Sequence, residues 1–126
     1  MKFMFTIYHD ESVLDAMPEK ERQALVDSAI EYAEELRRSG HYVVSNALQG
    51  TETARTIRVR GAEVSTTVGA FAETREQLGG FFVIEAKDVD EACAIAARFP
   101  PARVAVVEVR PVQELKHSRD RRGLPS

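Results

Sequence analysis

Gly79-Gly80-Phe81-Phe82-Val83-Ile84-Glu85, followed after two residues by Asp88-Val89-Asp90-Glu91-Ala92-Cys93-Ala94-Ile95-Ala96, is the stretch that decides the fold. Phe81 to Ile84 are aromatic or branched aliphatic without a polar break, the make-up of a strand buried on both faces. Asp88 with Glu91 forms an acidic N-cap arrangement ahead of Val89, Ala92, Cys93 and Ala96, which predicts a short amphipathic helix. Pro100-Pro101 ends that helix, and Val104 to Val112 supplies a last apolar strand. The second half of the chain therefore reads strand, helix, strand.

The first half has the same cadence. Lys2 to Tyr8 is an apolar, aromatic and β-branched run, predicted to be the first strand. Pro18 suits a first helical turn, and Leu25, Ala29, Tyr32, Ala33 and Leu36 recur on one helical face until Gly40 stops the helix. Tyr42 to Leu48 alternates as a second strand. Arg55 to Arg60 puts Ile57 and Val59 on one side and Thr56, Arg58 and Arg60 on the other, then Gly61-Ala62 turns into Glu63 to Val68, a hairpin. With residues 51–78 set aside as an insertion carrying that hairpin, the order is β-α-β-β-α-β. This predicts an α+β, ferredoxin-like domain over residues 1–112 with both helices on one face of an antiparallel sheet, and a polar, flexible tail over 113–126. A sheet apolar on its second face as well asks for a cover, and a homodimer provides one.

The whole chain has 126 residues, 44% hydrophobic and 29% charged, enough for one globular domain. Its net charge of −3 argues against nucleic acid and anionic membranes as partners. The tail residues Lys116, Arg119, Arg121 and Arg122 outnumber Glu114 and Asp120, so residues 1–112 hold 13 basic against 18 acidic side chains. One cysteine allows neither an intrachain disulfide nor a thiolate cluster, and the opening residues lack a signal-peptide pattern, so the expectation is a cytoplasmic protein. No apolar run approaches the roughly 20 residues that span a bilayer. His9, His41 and His117 show no metal-ligand spacing, and Gly79-Gly80 precedes a strand rather than a helix, so neither a metal, a phosphate loop nor another cofactor is expected. Cys93 falls on the apolar helix face and is expected to be buried and inert.

Gly69 to Glu85 (GAFAETREQLGGFFVIE) resembles the signature segment of the YCII-related, DGPF-type family. The opening MKFMFTIYHDE, Gly40-His41-Tyr42, Ala47-Leu48-Gln49 and the closing Val107 to Val112 extend the resemblance over nearly all but the tail. It implies a ferredoxin-like fold assembled as a dimeric α/β barrel, a biochemical role largely unassigned, proximity of some relatives to extracytoplasmic-function sigma factors, and a His/Asp pair in an enzymatic cleft. The family's Asp-Gly-Pro-Phe is replaced here by Val68-Gly69-Ala70-Phe71. A catalytic Asp at that place would be missing from this chain; a turn-capping Asp would cost only about 1 kcal/mol to lose.

The candidate catalytic residues are His9 and Asp10, where the first strand ends, and His41, which opens the second. Imidazole is the side chain best suited to proton transfer near neutral pH. Neighbours on a strand point to opposite faces, so His9 and Asp10 need not pair, and His41 also suits the preceding helix C-terminus. Asn46 and Thr67 offer uncharged hydrogen-bonding groups, and Phe71, Glu73 and Arg75 form the heart of the signature segment, as ligand-binding or interface residues. The expected activity is that of a homodimeric small-molecule-binding domain, or an enzyme doing acid/base chemistry in a cleft between sheet and hairpin. The alternative is a non-catalytic interaction module, with a sigma factor as the partner implied by the resemblance.

Overall fold

The computed structural model describes residues 1–121 as β1 (Lys2–His9), α1 (Glu11–Ala16), α2 (Glu19–Arg38), β2 (Tyr42–Ala47), β3 (Arg55–Arg60), β4 (Glu63–Val68), β5 (Gln77–Glu85), α3 (Val89–Ala97) and β6 (Ala105–Pro111), with short 3₁₀ turns at Thr51–Thr53, Pro100–Val104 and Ser118–Arg121. Arg122 of the predicted basic tail lies outside these residues. Four strands form one sheet in the order β2-β5-β1-β6, every pair antiparallel, and β3-β4 form a separate two-stranded sheet. This mixed α+β arrangement is consistent with a ferredoxin-like fold.

The core lies between the sheet and the helices. Phe3, Phe5 and Ile7 of β1 alternate inward with Phe82 and Ile84 of β5, and meet Tyr32, Ala33 and Leu36 of α2 and Ala92, Ile95 and Ala96 of α3. Tyr32 is the hub: its ring packs edge-on against Phe82 at 5.5 Å and Phe99 at 5.3 Å, and its hydroxyl donates to the Ile95 carbonyl, joining the two long helices. Helix α2 stops where Gly40 takes φ +82°, a conformation glycine adopts without steric cost, and the His41 N–H returns to the Leu36 carbonyl at 3.0 Å. Helix α3 opens with a reciprocal cap. Asp88 accepts from the Glu91 N–H at 2.9 Å, and Glu91 accepts from the Lys87 N–H at 3.0 Å.

Four expectations change. The chain between β1 and α2 forms an additional helix, α1, started by Asp10, whose carboxylate accepts the Ser12 N–H at 3.0 Å. Strand β5 begins at Gln77, four residues before the aromatic run, because Gly79 and Gly80 lie inside the strand rather than ahead of it. Cys93 is exposed. The buried face of α3 is Ala92, Ile95 and Ala96, and Cys93, one residue past Ala92, is rotated about 100° off it. The apolar cleft opens between the sheet and α1-α2, away from the hairpin.

The other face of the sheet carries Met4, Thr6, Tyr8, Phe81 and Val83, all half-buried, with Val44 and Val106 exposed beside them. The hairpin is two-faced. The pairings Arg55 with Val68, Ile57 with Thr66 and Val59 with Val64 gather Ile57, Val59, Val64 and Val68 on one side, each more than half exposed.

Candidate functional site

Strand β1 delivers His9 at its last position, opposite Gln77 of β5 and Ala105 of β6. The β1-β5 register is broken there: Ile7 faces Gly80 and Tyr8 faces Leu78, so Gly79 bulges out of the pairing. The imidazole occupies the space the bulge leaves. A Cβ on Gly79 would stand 1.9 Å from the His9 Cε1 and 2.5 Å from Nδ1, so only glycine leaves room for the ring in this position.

His9 thereby lines a cleft of 420 Å³ between the sheet and α1-α2. Its walls are apolar: Ile7 and Phe82 from the sheet, Leu14 from α1, Leu25 and Ala29 from α2, and Phe99 from the turn after α3. The polar side chains at its lining are His9, Arg22 and Ser45, while Asn46, paired with Phe81, turns its side chain to the other face of the sheet and reaches the cleft only with its backbone. Size and lining match those of a small-ligand site, where few polar groups orient a mostly apolar compound.

Asp10 turns away from the cleft. Its Oδ1 accepts from the Ser12 N–H at 3.0 Å and hydroxyl at 2.6 Å, and its Oδ2 accepts from the Arg75 Nε at 3.0 Å. The Ser12 hydroxyl first, and then Arg75, hold its pKa below the usual carboxylate value. Glu11 is engaged likewise, accepting from the hydroxyl and the N–H of Thr51, which lower its pKa in that order. These carboxylates tie the start of α1 to the loop before β5 and to the turn before β3. Among the described residues, neither hydrogen-bonds to His9.

His41 sits at the other end of the sheet. Its Nδ1 donates to the Glu85 carbonyl at 2.8 Å and its own carbonyl accepts from the Glu85 N–H at 2.7 Å, eight residues along β5 from the partner of His9, or about 26 Å of strand. Thr67, Phe71 and Glu73 line a second, polar groove of 410 Å³ between the hairpin and the loop before β5, with the Arg58 guanidinium 5.0 Å from the centre of the Phe71 ring. The structure thus brings His9 to one cleft, which Asn46 borders only with its backbone, brings Thr67, Phe71 and Glu73 to another, links Asp10 with Arg75, and separates His41 from all of them.

Sequence reading missed Arg22 and the part played by Gly79, whereas Ser45 was among the uncharged hydrogen-bonding groups it offered for a ligand pocket. A helical signal for Arg22 was present, because Arg22, Leu25, Val26 and Ala29 follow the i, i+3, i+4, i+7 spacing of one face. Nothing local marks Gly79, whose meaning depends on a ring brought from β1.

The YCII-related domain family matches residues 1–116. An uncharacterized protein of Rhizobium meliloti (strain 1021) is 31% identical over 114 residues, covering 89% of this chain and 92% of that protein. Among solved structures, 5-chloro-2-hydroxyhydroquinone dehydrochlorinase (TftG) from Burkholderia phenoliruptrix AC1100, in complex with 2,5-dihydroxybenzoquinone, superposes with a TM-score of 0.52 at 17% identity, covering 94% of this chain and 97% of that one. This second likeness is one of fold. The chain belongs to the YCII-related family.

Proposed function

We propose that this YCII-related protein is a homodimeric small-molecule-binding domain in which the cleft between the sheet and α1-α2 holds the ligand and His9 handles a proton. The observation that carries the reading is the His9 imidazole seated over Gly79 in the lining of a mostly apolar cleft. A strand bulge and a bare glycine keep a proton-transferring ring against apolar walls, where water competes little for it. Asp10, with both oxygens engaged, acts as a hook for α1 and the loop rather than as the partner of His9. The dehydrochlorinase of similar fold was solved with a compact ring compound, which supports the same size of ligand here.

The test is a set of compact aromatic compounds titrated into the full chain and followed by amide NMR. Compounds that bind should move the amides of Ala29, Ser45 and Gly80. Both His9→Ala and Gly79→Ala should weaken them by about tenfold, the loss of one hydrogen bond. Because the Gly79→Ala methyl meets only a movable ring, that variant should stay folded while the His9 ring resonances shift. Shifts confined to the groove around Phe71, or affinities untouched by either substitution, would remove the cleft from consideration.

The second reading is an interaction module, with a sigma factor as the expected partner. The uncovered face of Ile57, Val59, Val64 and Val68 favours it, because a lone two-stranded hairpin is marginally stable in water until its apolar side is covered.

A further inference from the structure

We infer that the cleft selects a compact organic anion, a carboxylate or phenolate whose charge meets Arg22 while its carbon skeleton lies against Leu25, Ala29 and Phe82. This rests on the reading of the cleft as a ligand site. Arg22 stands at the first turn of α2, and with Leu25, Val26 and Ala29 it forms the face of that helix that lines the cleft. Its side chain is half-buried, yet among the described residues it makes no ion pair and no side-chain hydrogen bond. The backbone N–H of Arg22 is already satisfied by the Pro18 carbonyl at 2.9 Å. The stem of the Arg22 side chain lies against the apolar lining while its nitrogens stay accessible to water, so its donors are open to the acceptor of a ligand.

The charge that lines the cleft has one sign. Among the lining side chains only Arg22 and His9 carry or can acquire charge, and no carboxylate is present. The acids that follow His9, Asp10 and Glu11, are occupied by Ser12 and Arg75, and by Thr51, and Glu19 and Glu21, which share the first turn of α2 with Arg22, are not among the residues that line the cleft. Ser45 shares its hydroxyl with Tyr42 at 2.8 Å and remains neutral. Within the cleft an anion therefore meets no carboxylate, whereas a cation would face the guanidinium. The planar fork of Arg matches a carboxylate with two parallel hydrogen bonds, and the apolar walls strengthen that attraction relative to water. The groove beside the hairpin shows no such preference, since Glu52 and Glu73 line it together with Arg58.

The experiment compares 2-naphthoate, 2-naphthamide and 2-naphthylmethylammonium, matched in shape and different in charge, titrated into the full chain with amide NMR reporting at Leu25, Ala29 and Gly80. The expected result is that the acid binds at least about tenfold more tightly than the amide, as hydrogen bonds to a charged group imply, with the ammonium weakest. Arg22→Gln should erase the advantage of the acid over the amide, and Arg22→Lys should restore part of it. Equal binding of acid and amide at these amides, or an advantage that survives in Arg22→Gln, overturns the charge assignment and leaves the cleft reading standing. Absence of all three compounds from the cleft overturns both.

Discussion

Asp10 combines two structural duties in one carboxylate: Oδ1 caps α1 through Ser12, and Oδ2 holds Arg75 of the loop before β5. Because Arg75 is 86% exposed and the Asp10 side chain 20%, water and salt screen the ion pair, and the Ser12 cap is the more durable part. The shift has a definite sign. Its folded-state pKa lies below the unfolded value of about 3.9, so the stabilisation is complete above that pH and is lost as pH falls through the lower folded value. Asp10→Ala should melt below the wild type near neutral pH, and the gap in Tm should close on acidification below about pH 3.9. A gap that stays constant down to the acid limit would show that the carboxylate charge contributes nothing. The sequence presented His9 and Asp10 as neighbours with separate faces, and the structure gives them separate tasks.

At the scale of elements, β5 and α2 decide what the site is. Strand β5 was legible from Phe81 onward because aromatic and branched residues announce a buried strand, but Gly79 and Gly80 carry no side chain to show burial or alternation. Helix α2 was legible through its apolar repeat, and its junction with α3 depends on Tyr32. Burial pushes the Tyr32 pKa up to about 12, with Arg98 opposing and Glu35 adding to the rise. With the folded pKa above the unfolded value of about 10, the neutral phenol contributes its full stability below that pH and loses it as pH rises toward the folded value. Tyr32→Phe should cost about 0.5–1.5 kcal/mol at neutral pH, since the Ile95 carbonyl keeps the Arg98 N–H. It should also flatten the alkaline loss of stability. Chemical denaturation of both proteins at pH 7 and above pH 10 measures each part, and identical alkaline slopes would exclude Tyr32 as the titrating group.

For the whole molecule, two apolar surfaces stand open: the back of the main sheet, with Val44 and Val106, and one side of the hairpin, with Ile57, Val59, Val64 and Val68. Thr6 points its hydroxyl from the middle of that sheet and finds no partner among the described residues. A two-fold dimer covering the sheet would bury such a face on both copies at once. Val44 and Val106 are exposed in the single chain, so Val44→Lys with Val106→Lys should leave the chain folded, as its circular dichroism reports, while moving its sedimentation from dimer to monomer and lowering Tm by the stabilisation that association had supplied. A wild type that sediments as a monomer would end the homodimer proposal. A dimer that resists this pair of changes but yields to Ile57→Lys with Val64→Lys would place the contact on the hairpin instead.

What the sequence by itself determined is the order of the six strands and of helices α2 and α3, the hairpin with its Gly61-Ala62 turn, the cap of α3 at Asp88 and the family. These are written in local periods and in short motifs, where each residue constrains its near neighbours. What only the tertiary structure decided is where the cleft opens, that Gly79 makes room for His9, that Asp10 belongs to Ser12 and Arg75, and that His41 lies at the far end of β5. Each of these is a meeting of residues from different elements, and pairing register and helix packing fix such meetings, neither of which is encoded in any single stretch of chain.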